Sequence, residues 1–375
     1  MDHVFDITDF GAVGTGTVDC TAAIQESIDA AALVKGAVIV PPGTYLCGYI
    51  KMKPSVSLIG YHGWGYRETG GSVLVLNDDS VPCLLDMTGA FGACVKGIQF
   101  KGNQLLGDRV HGIMVQWDQY NGGTFGPGEF DDNPFIDPTH TSFREDSFVI
   151  KDCQCKNFSG DGVHLNHIFA FTVCDCQLMA NGGDGIFING WDGWIHDCII
   201  STNRGAAIGS YLRAGIESVT CCSVTITGNR VEWNAGGGLV MEHGDSLNIN
   251  NNFFDRSYKP AVYLNAQHPA DIRDITVVGN IFRRSGKPDV IPFADPYESS
   301  HVYMKNCENV AASSNVCRIG VDDDGAGVCS PDYGFVCADI NGCVIASNAL
   351  HEGAVKENLA LLGENTGNVI QNNVE

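Results

Sequence analysis

Six segments of this chain overlay residue by residue, and that repetition restricts the fold more than any other feature of the sequence. Aligned on a Cys or Asn, Cys153 to Val163 and Cys176 to Ile186 share one frame, which Cys198 to Ile208, Asn229 to Leu239, Asn252 to Val262 and Asn280 to Val290 continue. Successive starts lie 23, 22, 31, 23 and 28 residues apart, a period that belongs to stacked repeat architectures. The third frame position is always apolar (Cys155, Leu178, Ile200, Val231, Phe254, Phe282), and the eleventh is always Val, Ile or Leu. Each unit reads as a short strand, a Gly-containing turn and a second strand with period-two alternation, as in Val163-His164-Leu165. Such a unit cannot bury its own apolar face. Stacking solves this, because each strand pairs with its equivalent one coil away at about 4.8 Å and the inward residues form columns. The pattern predicts an all-β chain, a right-handed parallel β-helix of about a dozen coils.

The columns can be read directly. The first frame position gives Cys153, Cys176 and Cys198, then Asn229, Asn252 and Asn280, with Asn315 and Asn348 continuing it. Buried Asn side chains in register can bond to one another and to the turn backbone, while the cysteines read as small packing residues. At the N-terminal end, Ile24, Ile28 and Ala31/Ala32 make one helical stripe suited to cap the first coil, ahead of the strand Ala37 to Val40. No linker interrupts the composition, so residues 1–375 read as one domain, with a cap region at 1–36 and an inserted loop at 116–146.

The formal charge is −22, with 22 Lys and Arg against 44 Asp and Glu. That field repels phosphate backbones and anionic membranes, so neither nucleic acid nor a membrane is an expected partner. A strongly anionic polymer such as pectin is a poor match, whereas a neutral sugar is indifferent to the charge. The sixteen cysteines include no C-x-x-C spacing, and no cofactor or metal site is expected. The start, Met1 to Asp6, lacks a basic and an apolar signal region, which makes a cytoplasmic location with reduced thiols the expectation.

The opening Phe5-Asp-Ile-Thr-Asp-Phe-Gly-Ala-Val-Gly-Thr-Gly-Thr-Val-Asp19, with Thr21-Ala-Ala-Ile-Gln25 and Val40-Pro-Pro-Gly-Thr-Tyr45, resembles the N-terminal signature of the pectate-lyase-like β-helix superfamily. That superfamily holds polysaccharide lyases, galacturonases, sugar epimerases, inulin fructotransferases and phage tailspikes, so the resemblance implies the fold without fixing the reaction. No stretch matches the clustered Asp and Gly-His-Gly of polygalacturonases or the Arg-centred signature of calcium pectate lyases. Asp184-Gly-Ile-Phe-Ile-Asn-Gly-Trp-Asp192 is similar in form to the carboxylate-bearing Asp-Gly turn of inulin fructotransferases and difructose anhydride hydrolases. A homotrimer is what the superfamily implies for assembly.

Glycosidic cleavage needs a proton donor and a second carboxylate on opposite sides of the bond, and outward positions on neighbouring coils supply such pairs. One strip comes from the fourteenth frame position, with Asn166, Asn189, Tyr211, Glu242 and Asn265, and from the seventeenth, with Asp192 and Asp245. Trp191, His164 and His167 lie beside it, and Trp117 and Asp118 at the start of the inserted loop reach a similar height. Asp184, Asp192 and Glu242 are its candidate catalytic groups; Trp117, Asp118, His164, Asn166, Asn189, Trp191, Tyr211 and Asn265 are its candidate substrate contacts. An Asn ladder with solvated acids is the alternative reading of the same strip. Asp161, in the same Gly-Asp-Gly turn as Asp184, reads as a turn residue.

A competing strip at the fourth position offers Glu232 and Asp255 one coil apart, with Arg283 next and Trp233 adjoining. An exposed ion-pair row is its plainer interpretation. Asp322-Asp-Asp-Gly325 is a weaker candidate for calcium, lacking a defined ligand spacing. The expected function is an enzyme that cleaves or transfers a glycosidic bond of a neutral oligosaccharide, such as a fructan-derived one, with paired carboxylates. Two alternatives stay open, a polysaccharide lyase acting on uronates and a non-catalytic glycan-binding module.

Overall fold

The computed structural model describes residues 3–103, 109–117, 146–287, 292–325 and 327–374. Its strands form two parallel sheets, of 24 and 11 strands among the described residues. The chain winds as a right-handed parallel β-helix with three faces per coil. The coil that begins at Cys153 shows the pattern. Gln154–Lys156 lies on face one, the 11-stranded sheet. The long strand Val163–Cys174 then covers face two with its first half, bends, and covers face three with its second. Faces two and three count as one sheet because this strand and Ile186–His196 run unbroken round the bend.

The predicted columns are the observed registers. On face one Cys155, Leu178, Ile200, Val231, Phe254 and Phe282 pair in sequence, each at most 1% exposed. On face two Val163, Ile186, Ile208, Leu239 and Val262 do the same. The sixth member is a correction: the described partner of Val262 is Val302, and Val290 lies outside the described residues. Extra chain between Arg283 and Ser300 breaks the fixed eleven-residue offset there. Helix Thr21–Ala32 buries Ile24, Ile28 and Ala31 over the first coil, as its stripe predicts.

The turns hold the register through buried amides. Asn229 donates its backbone N–H to Asn252 Oδ1 at 3.0 Å, and the same bond recurs from Asn252 to Asn280, Asn280 to Asn315 and Asn315 to Asn348. Asn181, Asn203 and Asn234 form a second ladder at the corner between faces one and two. Each such amide satisfies backbone that a buried turn would otherwise leave unpaired, at a cost of about 1–3 kcal/mol per group. Cys153, Cys176 and Cys198 are buried, and their thiols donate to carbonyl oxygens such as Lys151 O at 3.2 Å. None of the sixteen cysteines is joined in a disulfide.

Candidate active site under a strap on face two

His111, Asp161 and Asp184 occupy equivalent positions at the start of three successive face-two strands, two residues before the paired Ile113, Val163 and Ile186. Repetition of the Gly-Asp-Gly turn therefore stacks two carboxylates one coil apart, about 4.8 Å by strand spacing. Each uses one oxygen to fix the next coil: Asp161 Oδ1 accepts the Asp184 N–H at 2.8 Å, and Asp184 Oδ1 accepts the Ala206 N–H at 2.7 Å. The glycines of these turns make room, since a Cβ at Gly183 would overlap Asp161 Oδ1 and one at Gly205 would overlap Asp184 Oδ1. The second oxygens point to side chains.

Those side chains come from a segment that the repeat does not contain. Residues 211–219 leave the coil after Ser210 and fold back over face two as a strap. Arg213 donates to Asp161 Oδ1 at 3.1 Å and Oδ2 at 2.5 Å and to Asp184 Oδ2 at 3.3 Å, so one guanidinium bridges both acids. It also lies 3.5 Å over the Phe187 ring, against which Ile216 and Val219 pack. Tyr211 donates its hydroxyl to Asp184 at 2.9 Å. Gly209 is required beneath this contact, because a Cβ there would stand 2.5 Å from Asp184 Oδ2 and 2.6 Å from the Tyr211 ring. His164 Nδ1 is 2.8 Å from Asp161 Oδ2 and 2.9 Å from Arg213 Nη2, with Nε2 3.0 Å from Gln116 Oε1.

Burial sets the proton affinities of this cluster, and the neighbours then drive the two acids apart. Burial raises the Asp161 carboxyl, but the His111 and His164 contacts and the Arg213 charge outweigh it and hold the group well below the usual carboxylate range. Burial and the Asp161 charge push Asp184 up to about 7, against the opposing pull of Arg213 and Tyr211. Burial brings His164 down to about 4, despite its bond to Asp161. Near neutral pH the cluster holds one ionised carboxylate, one acid able to carry a proton, and a neutral imidazole. Paired groups with separated proton affinities are the mark of an acid–base site.

The structure brings Asp184, His164 and Tyr211 together and gives other candidates different work. Glu242 accepts the Leu212 N–H at 2.8 Å and so ties down the start of the strap. Asn189 ties down its end, receiving the Thr220 N–H at 3.0 Å and donating to Ser218 O at 3.0 Å. Asn189 also donates to Asn166 at 2.8 Å, and both are 2% exposed, so in this closed arrangement the two form a buried ladder, the alternative reading of the strip. Asp192 does not join Asp184 and Glu242 in one strip: it is an exposed residue with φ 54° at the bend between faces two and three. Asp245 is in register with Trp191 through Cys222 and pairs with Arg273. Trp191 itself is half-buried at that bend.

Trp117 stacks on Phe91, with ring centres 6.4 Å apart, and its carbonyl accepts from Asn166. Asn265 donates to the Tyr263 hydroxyl at 3.1 Å, well along face two from the cluster. Asp118 and most of the loop at 116–146 lie outside the described residues.

On face one, Glu232 and Asp255 are register partners as expected, but each has its own cation. Glu232 pairs with Arg230, and Asp255 receives Arg284 Nε at 2.7 Å, the arginine after the expected Arg283. Asp322 and Asp323 pair with Arg256 and Arg284, so this run meets arginines in place of calcium. Arg213, Gly209 and the role of Asp161 were missed by the sequence reading. The available signal was the 31-residue spacing between Cys198 and Asn229, some eight residues longer than its neighbours.

Residues 4–67 match a family model described as rhamnogalacturonase A/epimerase, pectate lyase-like. The match spans the N-terminal part of the chain, and the fold over the described residues is a parallel β-helix. No curated protein matches this β-helix in sequence. Among solved structures it is similar to the A-module of the mannuronan C-5 epimerase AlgE4 from Azotobacter vinelandii, with 18% identity over 99% of this chain and 100% of that one and a TM-score of 0.54. It is also similar to DFA-IIIase from Arthrobacter chlorophenolicus A6 in complex with GF2 and without its lid, with 13% identity, 99% and 94% coverage and a TM-score of 0.61. The enzymatically active domain of tailspike protein 2 from bacteriophage CBA120 matches at 13% identity over 96% of this chain and 46% of that one, with a TM-score of 0.57.

Residues 139–283 also match a model described as a periplasmic copper-binding protein (NosD). Among the described residues, His111, Asp161 and His164 form a group whose donor atoms converge closely enough for a metal ion. The residues do not fit one. His111 Nδ1 accepts the Asp161 N–H at 2.9 Å, and His164 Nδ1 and the Asp161 carboxylate face the Arg213 guanidinium. The place of a cation at these atoms is already taken by a fixed positive charge.

Proposed function

We propose that this β-helix is a carbohydrate-active enzyme that cleaves or transfers a glycosidic bond of a neutral saccharide, with Asp161 and Asp184 as its carboxylate pair. The observation that carries the reading is the pair itself. Two acids on adjacent coils share one guanidinium, and one of them is pushed up to about 7 while the other is held low. In the reaction Asp184 gives its proton to the leaving glycosidic oxygen, and Asp161 supports the developing positive charge or attacks the anomeric carbon. The one-coil spacing of about 4.8 Å sits near the 5–5.5 Å of retaining enzymes. Asp161 and Asp184 are 1% and 0% exposed, so the strap at 211–219 lifts for substrate to reach them. The structural neighbours support a carbohydrate substrate, since their names include an epimerase of mannuronan and an enzyme bound to GF2.

Elimination or epimerisation at a uronate is the second reading, favoured by the contact of His164 with Arg213 at 2.9 Å. It is the weaker one, because a single arginine already faces two carboxylates and has no charge left to neutralise a third. Incubation with fructans, other neutral oligosaccharides and oligouronates separates the two. The proposal expects new reducing ends or transfer products from a neutral glycan. Ultraviolet absorbance of an unsaturated uronate, with neutral glycans untouched, would replace it by the lyase reading.

A further inference from the structure

The bend between faces two and three holds a second site that the acid–base cluster does not use. A cavity of about 340 Å³ opens there, bounded by Phe148, Ala170, Phe171, Thr172, Asp192 and Trp194, within the size range of small-ligand pockets. Trp194 is 60% exposed, the most exposed aromatic side chain among the described residues. Trp joins an apolar ring face to a polar N–H, a combination enriched at binding interfaces.

The local sequence explains why the ring stands free. Trp194 belongs to an outward row on face three whose other members in neighbouring coils are Val149, Thr172, Thr225 and Asn248. All are smaller, so nothing in its own row covers the indole. The floor has its own requirement. A Cβ at Gly193 would fall inside the Phe171 ring, so the glycine between Asp192 and Trp194 lets that ring spread beneath the cavity. At the rim Asp192 stands in a left-handed turn, φ 54°. Among the described residues, the Asp192 carboxylate, the Thr172 hydroxyl and the Trp194 indole N–H meet no hydrogen-bond partner.

The pocket thus offers one exposed aromatic wall over an apolar floor, and three polar groups of different kinds. A flat ring with apolar faces and a hydroxyl-bearing edge matches that set. One face packs on Trp194, the two oxygens of Asp192 accept from a vicinal diol, and Thr172 and the indole N–H serve the remaining oxygens. An anionic sugar is disfavoured by the adjacent carboxylate and by the net charge of −22.

We infer that this pocket is a non-catalytic binding site for one ring of a neutral saccharide, held on Trp194 and Asp192. The inference rests on the neutral-glycan reading for its ligand class, and not on the identity of the catalytic residues.

The test is saturation-transfer NMR with 1-kestose, maltotriose and trigalacturonate, titrated against the full chain and against W194A, W194F and D192N. The measurement reports bound rings whether or not the sugar is turned over. At least one neutral trisaccharide is expected to bind saturably. W194A should weaken it by about tenfold or more, W194F should restore part of the loss, and D192N should weaken it too. Trigalacturonate should show no saturable binding. Trp194 and Asp192 are exposed, so the variants keep the melting temperature of the parent and a loss of binding is not a loss of fold. Unchanged affinity in W194A, absence of saturable binding by both neutral sugars, or equal binding of trigalacturonate would overturn the inference. Hydrolysis of a neutral glycan with W194A binding normally would sink this site alone. Trp194-dependent binding without turnover of any glycan would sink the catalytic reading alone.

Discussion

Two pairs of acids in this molecule are built from the same element and differ in their arginines. Asp161 and Asp184 on face two, and Glu232 and Asp255 on face one, each consist of register partners one coil apart. On face one every acid has a separate cation, Arg230 for Glu232 and Arg284 for Asp255. On face two a single Arg213 serves both acids, and it is 7% exposed, as against 55% for Arg230. The difference teaches that stacking brings carboxylates together, whereas the count of cations and the access of water decide whether a proton stays between them. One guanidinium against two buried carboxylates leaves a negative charge that a proton relieves most directly.

The largest test of that contrast is catalytic. D184N removes the acid without changing its shape and should lower the rate on the active neutral glycan by about 10²–10⁴-fold, the usual contribution of a positioned acid. E232Q, on the pair with one cation each, should leave the rate within about twofold by the same criterion. Equal losses in reducing-end release would place the chemistry on neither pair or on both, and would break the comparison.

Stability comes next. R213M leaves two carboxylates in the interior with no cation, a change that costs about 3–5 kcal/mol where a buried pair is broken. R230Q, at a largely exposed site, should cost about 0.5 kcal/mol or less. Denaturant melts of the two variants against the parent measure both. A mild R213M would mean that Asp161 and Asp184 take up protons or water readily, and that the strap is only loosely closed.

The same contrast predicts a dependence on pH. Asp184 keeps its proton in the folded chain up to about 7, while an unfolded Asp releases it near 3.9. The folded state therefore binds more protons between these values. The stabilisation from Asp184 is fully present below about pH 4 and is lost as pH rises through about 7. D184N carries no such term, so the stability of the parent relative to D184N should fall across this window. His164 works in the opposite direction. Its folded value of about 4 lies below the usual 6.5, so its contribution is present above pH 6.5 and lost on descent through 4. Because both proteins contain His164, that term largely cancels in the difference. Activity should decline above pH 7 as the acid loses its proton, and a rate that keeps rising there would remove Asp184 from the acid's role.

What was legible in the sequence follows from what repeats. Cys155 to Phe282 and Asn229 to Asn348 could be placed because each position recurs in successive coils, and a misassigned register would expose a whole apolar column. The Gly-Asp-Gly turns were visible for the same reason. A turn aspartate and an acid–base aspartate are nevertheless the same residue in the same turn, and what separates Asp161 and Asp184 from an ordinary turn is Arg213. That arginine lies in a segment found in one coil only, where a frame-based reading has no second copy to compare. The pairing of Val262 with Val302 was hidden in the same way by an insertion. Asp192 and Glu242 share the strip's frame on paper, but the bend carries one to the edge of face three and the strap claims the other.

The smallest effect concerns the strap's attachment. Glu242 holds Leu212 through one backbone bond at 2.8 Å in a partly exposed place, so E242A should cost only about 1 kcal/mol. Its consequence should be local. Arg213, Tyr211 and Asn189 still fasten the segment, and the loss of one tether shifts the opening equilibrium of residues 211–219 without unfolding the coil beneath. Amide hydrogen exchange should quicken within the strap and stay unchanged along Ile199–Ser201 and Arg230–Glu232, while E232A should leave the strap's exchange untouched. With strap opening as a step before catalysis, E242A should change KM more than D184N does, because it alters access and not the proton carried by the acid. Exchange that quickens equally on both faces would show that Glu242 supports the whole stack, and would remove the distinction between a strapped face and an open one.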